Sequence, residues 1–141
     1  LILFPIIMPG WAFHNMFQIL GFIGALLISI YLSYSIYFCM VCFAFWFGEV
    51  RALVVAYNIS NIVLSGQILP LRLFPDYIRE IIYLTPLQFL VDFPVSIATG
   101  NLNMELWFPK MCLAICWCII ITILGKLVYR YGIRVYGGFG A

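Results

Sequence analysis

Three polar side chains stand out in an apolar stretch of this chain, because polar groups in hydrocarbon need either a partner or a function. Asn58, Asn61 and Ser65 lie at positions i, i+3 and i+7 of the segment 52–69, so a helix there carries them on one face. Asparagine within a membrane must bond to another helix or face water in a cavity. Two interpretations follow: a hydrogen-bonded seam between helices, or a polar strip that lines a transport route.

Charged residues concentrate in the segment 65–100. The chain has seven Lys and Arg and five Asp and Glu residues, and five of these twelve lie in that segment: Arg72, Asp76, Arg79, Glu80 and Asp92. Prolines at positions 70, 75, 86 and 94 divide it into short pieces. Because charges are costly in hydrocarbon, we expect a re-entrant helical hairpin over residues 75–100 that enters and leaves the membrane by the same face.

Local signals predict where the two helices of this hairpin begin and end. Residues 76–83 alternate polar and apolar side chains at helical spacing. The motif Thr85-Pro86-Leu87-Gln88 matches a capping box, which predicts that the second helix begins at Pro86. Gly100 can end that helix in the left-handed conformation, and Pro94 is expected to kink or split it.

The five cysteines allow a different chemistry. Cys39 and Cys42 have the Cys-x-x-Cys spacing of a redox pair or of half a zinc site. No further ligand or activating base accompanies them, and His14 is the only histidine. The alternative is that all five thiols fill contacts between helices.

The composition is that of an integral membrane protein. Hydrophobic residues make up 66% of the 141 and charged residues 9%, against about 45–50% and about 25% in soluble domains. The net charge of +2 and the absence of a basic run give no reason to expect a nucleic-acid partner. The expected surroundings are a lipid bilayer.

Apolar runs of sufficient length predict an all-α polytopic protein, since a helix needs about 20 residues to span the hydrocarbon. The predicted elements are the end of one transmembrane helix at 1–9, complete spans at 19–47, 52–69 and 108–130, the hairpin at 75–100, and a cytoplasmic tail at 131–141. If the hairpin returns to the face it left, four basic residues lie on the side of the tail and three on the other side. This difference leans towards a cytoplasmic tail.

Small and aromatic residues suggest how these helices pack. Two ridges recur at every fourth residue: Gly21, Ala25, Ser29 and Ser33 in the first complete span, and Ala114, Cys118 and Thr122 in the last. Such ridges permit close helix approach in lipid. Tyr31, Tyr34 and Tyr37 recur at every third residue, and they either line a path for an amphipathic solute or form hydrogen bonds between helices.

The ordered motifs of the second half resemble those of the ABC-2 type permeases, the membrane subunits of ABC exporters. The motifs are Ala44-Phe45-Trp46, Leu64-Ser65-Gly66, Pro70-Leu71, Leu73-Phe74-Pro75, Leu84-Thr85-Pro86, Phe93-Pro94, Tyr136 and Gly140-Ala141. The chain is most similar to the bacterial six-helix branch of unassigned substrate, over about residues 43–141.

This resemblance implies a role in a larger assembly. It implies six transmembrane helices in the full protein, of which this chain carries the end of the third and helices four to six, in a multi-pass protein of the plasma (cytoplasmic) membrane. It also implies a second permease, in a homodimer or heterodimer, and separate ATPase subunits that bind ATP and Mg²⁺, so this chain has no cofactor and is not itself an enzyme. Helix five would line the dimer axis with Asn58, Asn61 and Ser65, and the hairpin with its charged residues would act as the outer gate.

Two other functions remain open at this point. The chain could be a membrane scaffold or assembly subunit that does not transport, or a thiol oxidoreductase that uses Cys39 and Cys42. It contains no phosphate-binding loop, because Gly125-Lys126 lacks the earlier glycine and the following Ser or Thr.

Overall fold

The computed structural model describes residues 16–67, 73–100, 102 and 104–135. Within these ranges the chain forms helices and no strand. The elements are α1 (Met16–Cys42), α2 (Ala44–Phe47), α3 (Arg51–Leu64), α4 (Asp76–Leu84), a 3-10 helix (Pro86–Phe89), α5 (Asp92–Ala98) and α6 (Met104–Val135). The predicted all-α class is therefore confirmed for the described part of the chain.

The two long helices, α1 and α6, pack against each other in parallel. Their contacting pairs are Gly21 with Trp107, Gly24 with Met111, Ile28 with Cys118, Ser35 with Thr122, and Phe38 with Tyr129. Residue numbers rise together along both helices, so the helices run in the same direction. The chain between them must therefore lead from the C-terminal end of α1 back to the level of its N-terminal end.

Small side chains allow this close packing, as the two ridges predicted. Ala25 and Ser29 of α1 are 0% and 5% exposed, and Ala114 and Cys118 of α6 are 0% and 6% exposed. Ser33 is only half-buried, because the contact face of α1 turns towards Leu32 and Ser35 instead.

The 3-10 helix and α5 cover one side of the N-terminal half of α1. Phe89, Phe93 and Ile97 recur at every fourth residue and are at most 2% exposed, in one cluster with Ala25 and Leu32. The rings of Phe89 and Phe93 meet edge to face with centroids 5.6 Å apart. This cluster is the apolar core of the described fold.

The helix predicted at 52–69 is shorter than expected. α3 ends at Leu64 because Ser65 leaves the helix and Gly66 adopts a positive φ of 86°. Its 14 residues extend about 21 Å, against about 30 Å of hydrocarbon. Among the described residues, two helices are long and apolar enough to span a membrane, Met16–Phe47 and Glu105–Val135, so the count of three complete spans is not confirmed.

The outer limits of the long helices also differ from the predicted ones. α1 begins at Met16 rather than residue 19, and a turn at Phe43 separates it from α2. α6 begins at Met104, continues through Pro109 and ends at Val135, so it includes residues assigned to the tail. The predicted helix end at 1–9 and the last residues of the tail lie outside the described residues.

The predicted helix start is confirmed, since the 3-10 helix begins at Pro86 with Thr85 as its N-cap residue, but the hydrogen bonds of the predicted capping box do not form. The Thr85 hydroxyl donates to the Ile82 carbonyl at 2.7 Å, and the Gln88 amide donates to the Tyr83 carbonyl at 2.5 Å, so both side chains close α4 instead of opening the next helix. The following segment splits into the 3-10 helix and α5, with Pro94 in the first turn of α5. Gly100 has the left-handed φ of 68° that was predicted for it.

Candidate functional site

The polar strip of α3 faces the interior of the fold. The strip includes Tyr57 besides the three predicted residues, and at about 100° per residue all four lie within an arc of about 100°. Tyr37 of α1 contacts the strip, and so does the backbone N–H of Asp92, which donates to the Ser65 carbonyl at 3.1 Å. The opposite face of α3 is apolar and exposed, with Val55, Ile59, Ile62 and Val63 between 40% and 62% accessible.

Three oxygen atoms on this strip are buried without a hydrogen-bond partner among the described residues. They are Tyr57 Oη, Asn61 Oδ1 and Ser65 Oγ. Ser65 as a whole is 0% exposed. A buried polar atom that lacks a partner costs about 1–3 kcal/mol. These three positions therefore have unused capacity to bind a polar group.

Asn58 differs from its neighbours because it already has a partner. The Tyr37 hydroxyl donates to Asn58 Oδ1 at 2.5 Å, which joins α1 to α3. The Tyr37 and Tyr57 rings meet edge to face beside this bond, with centroids 5.5 Å apart. Of the two interpretations of the strip, the interhelical seam therefore describes Asn58, whereas Asn61 and Ser65 are available for another role.

Two side chains of α1 bind the second half of the predicted hairpin, one at the end of the 3-10 helix and one near the end of α5. Ser29 Oγ lies 2.6 Å from the Phe89 carbonyl oxygen and donates to it, and it also lies 2.9 Å from the Ala25 carbonyl of its own helix. Gln18 Nε2 donates to the Ile97 carbonyl at 2.8 Å, in the last turn of α5. Both α1 residues are more than nine-tenths buried. We call Gln18 and Ser29 the α1 latch.

The charged residues predicted for the gate occupy different surroundings. Asp76 and Arg79 form an ion pair with each other on α4, and Glu80 is exposed. Asp92 lies at the start of α5 and is half-buried. Arg72 lies outside the described residues.

Asp92, Arg79 and Tyr83 form a small cluster with Lys110 of α6. The Lys110 ammonium lies 5.2 Å from the centroid of the Tyr83 ring, a cation–π geometry. Burial raises the pKa of the Tyr83 phenol, the nearby Asp92 carboxylate raises it further, and the Arg79 guanidinium opposes this shift. The phenol is therefore neutral at physiological pH, and the cluster connects α4, α5 and α6.

Cys39 and Cys42 are free thiols. Cys39 is half-buried and Cys42 is buried, and Cα of Cys39 lies 3.7 Å from the position a Cβ on Gly125 would occupy. No group of three metal-ligating side chains occurs among the described residues. The surroundings of the pair are those of a tightly packed helix contact.

Two of the three regularly spaced tyrosines bond between helices. Tyr31 Oη lies 3.1 Å from Thr122 Oγ1 of α6, and Tyr37 bonds to Asn58, whereas Tyr34 is 65% exposed and stacks on Phe38. The sequence analysis singled out neither Gln18 nor Tyr57. A helical-wheel comparison with Asn61 and Ser65 would have identified Tyr57, since it lies four residues before Asn61.

The long helices are apolar on the outside as well as the inside. Only 22% and 17% of the most apolar windows of Met16–Phe47 and Glu105–Val135 are buried. A helix at the centre of a soluble protein would be mostly covered. The outward apolar surface is that of a membrane protein, with polar groups turned inward.

The chain was compared with known proteins. The model of a family described as ABC-2 family transporter protein matches residues 2–140. No significant match was found among curated proteins or among solved structures. Because the family match covers nearly the whole chain, this protein belongs to the ABC-2 transporter family.

Proposed function

We propose that this chain is part of the membrane permease of an ATP-driven ABC exporter. The observation that carries the proposal is the combination of the family match with the polar strip of the apolar helix α3, three of whose side-chain oxygen atoms are buried without a partner among the described residues. In this proposal Asn61, Ser65 and Tyr57 line the route of the solute. Asn58 does not line the route, and its bond to Tyr37 holds α3 against α1.

The depth of the hairpin segment supports a gate on one side of the membrane. Its deep end bonds to Ser29 and its shallow end to Gln18, 11 residues apart on α1. At about 1.5 Å per residue this separation is about 16 Å, or roughly half of the hydrocarbon thickness. A segment of this depth that starts and ends near the N-terminal end of α1 fits a re-entrant gate.

The proposed mechanism separates a fixed part of the gate from a movable part. The 3-10 helix and α5 are bound to α1 through the latch and the apolar core. α4 is largely exposed, with Tyr77, Ile81 and Leu84 at 66–77% accessibility. Opening of the gate then moves α4, which is held by the bonds from Thr85 and Gln88 to its last turn and by the contact of Tyr83 with Lys110.

The energy source belongs to a partner. We propose a separate ABC ATPase that binds ATP and Mg²⁺, and a second permease that completes the route as a homodimer or heterodimer, in the plasma membrane. Isolation of the tagged full-length protein from its host should recover an ATPase with a G-x-x-x-x-G-K-[ST] loop. Repeated isolation without an ATPase would favour the non-transporting scaffold instead.

Two matched substitutions test the polar strip. Asn61→Leu removes an unpaired amide and should reduce transport without loss of stability, because no hydrogen bond is broken. Asn58→Leu makes the same chemical change but breaks the Tyr37 bond, so it should lower stability by about 0.6–1.7 kcal/mol. Transport is measured as rescue of the phenotype of a host that lacks the gene, and stability as thermal unfolding of the purified full-length protein.

The comparison separates a transport role from a structural one. Both variants must first be present in the membrane at wild-type levels. Full rescue by Asn61→Leu, alone and together with Ser65→Ala, would assign the strip to packing and remove it from the transport route.

A further inference from the structure

Phe43, the helix α2 and the C-terminal part of α6 line an open apolar cavity of about 590 Å³. Trp46 and Phe47 form one wall, and Leu124, Leu127 and Tyr131 of α6 form much of the other. The wall formed by α2 is fixed, because the Phe45 side chain packs on Gly132 and lies with its ring 5.9 Å from that of Tyr129. The cavity is therefore preformed by helix packing.

A second, cationic cavity of about 270 Å³ adjoins the first. It is lined by Arg130 and Arg134 and shares Leu127 and Tyr131 with the apolar cavity. The two arginines are four residues apart on α6, so their side chains are neighbours on the helix surface. Neither forms an ion pair within the part of the chain that the structure describes.

The apolar cavity followed by the cationic cavity matches the acyl chain followed by the phosphate of a phospholipid. The apolar cavity lies against residues 124–131 within the membrane-spanning part of α6, and the arginines continue towards the helix end. An acyl chain in the first cavity would place its phosphate at the second. Trp46 lies beside this junction, as expected for an aromatic residue at headgroup depth.

We propose that this junction is a binding site for an anionic phospholipid. The guanidinium groups of Arg130 and Arg134 bind the phosphate, in a geometry that favours shared recognition of one anion, and the cavity beside Trp46 and Leu124 holds one acyl chain. A soluble phosphate compound would use only the cationic part. The proposal does not depend on export or on an ATPase partner.

The experiment measures lipid binding to the full-length protein in detergent by native mass spectrometry. Phosphatidylglycerol and phosphatidylcholine are titrated separately. The variant Arg130→Gln with Arg134→Gln should weaken phosphatidylglycerol binding by roughly fivefold per arginine, and phosphatidylcholine binding by less, because the choline ammonium offsets the charge of its phosphate. Leu124→Trp fills the apolar cavity on an exposed helix face and should weaken both lipids.

The matched control is Arg51→Gln. Arg51 is the exposed first residue of α3 and pairs at 3.5 Å with Glu49, which lies in the connection after α2 at the same end of the molecule. Its loss should change phosphatidylglycerol binding by less than about twofold. The proposal is overturned if the control loses as much affinity as one α6 arginine, if Leu124→Trp has no effect, or if glycerol phosphate competes as well as the lipid does.

Discussion

At the scale of single residues, a few hydroxyl and amide groups determine where the hairpin segment lies. Ser29 binds the carbonyl of a residue 60 positions later in the chain, and Gln18 binds one 79 positions later. Both bonds are formed in the absence of competing water, because both side chains are buried. The membrane interior has no water to bind a carbonyl oxygen, so each of these side chains supplies the hydrogen-bond donor that the carbonyl needs.

Replacement of Ser29 by alanine should destabilise the full-length protein by about 0.6–1.7 kcal/mol, which are the average and the maximum contributions of hydrogen bonds between membrane helices. The buried Phe89 carbonyl loses this donor, while the volume of the side chain hardly changes. Thermal unfolding in detergent measures the effect. Ser60→Ala is the control, because that exposed hydroxyl bonds only to Ala56 of its own helix. Equal stability of the two variants would show that the latch contributes nothing.

Residue types could be predicted at this scale, but partners could not. That Asn58 needs a hydrogen bond follows from its position in an apolar helix. That Tyr37 supplies it depends on the rotation of α1 against α3, which the sequence does not contain. Gln18 directly precedes the span predicted at 19–47, and nothing in that position indicates that its partners are carbonyls at the end of α5.

At the scale of helices, the α1–α6 contact depends on glycines that face side chains of different stiffness. A Cβ on Gly21 would lie 2.8 Å from the ring of Trp107, whose Nε1 donates to the Leu102 carbonyl at 3.0 Å. A Cβ on Gly24 would lie 2.9 Å from Cε of Met111, the end of a flexible side chain. The added Cβ would therefore be nearly the same distance from its neighbour at both positions, but the Met111 side chain can move away and the Trp107 ring is held in place.

Gly21→Ala should therefore be less stable than Gly24→Ala by about 1–2 kcal/mol. Both substitutions gain about 1 kcal/mol of helix propensity, so this gain cancels in the comparison. The rigid, hydrogen-bonded indole cannot move aside, whereas the methionine can rotate its terminal methyl group. Unfolding midpoints of the two variants test this, and equal midpoints would mean that Trp107 is free to move.

The small-residue ridges and the apolar runs were sufficient to predict both long helices and the faces on which they meet. Helix ends were less predictable, since they depend on local competition. The side chains of Thr85 and Gln88 can bond either to carbonyls of the preceding helix or to N–H groups of the following one. In the structure both donate to carbonyls of α4. α3 ended early because Ser65 and Gly66 form a turn within the apolar run.

At the scale of the whole molecule, the parallel packing of α1 and α6 constrains the path of everything between them. Two parallel spans require the intervening chain to cross the membrane once in the opposite direction. α3, which is about 21 Å long, is an apolar helix in this intervening part of the chain. No pattern within α1 or α6 alone could reveal this direction, because it arises from contacts between residues about 90 positions apart.

The last prediction concerns sidedness. In a cysteine-free background of the full-length protein, single cysteines are placed at Glu49, Val135 and Glu80, all exposed positions. A membrane-impermeant maleimide should label positions 49 and 135 from one side, because Phe45 of the adjacent α2 packs on Gly132. It should label position 80 from the other side, because α4 joins α6 near its N-terminal end through Tyr83 and Lys110. Native-level rescue by each cysteine variant controls for folding, and labelling of all three positions from one side would rule out the re-entrant path, since α3 would then not cross the membrane.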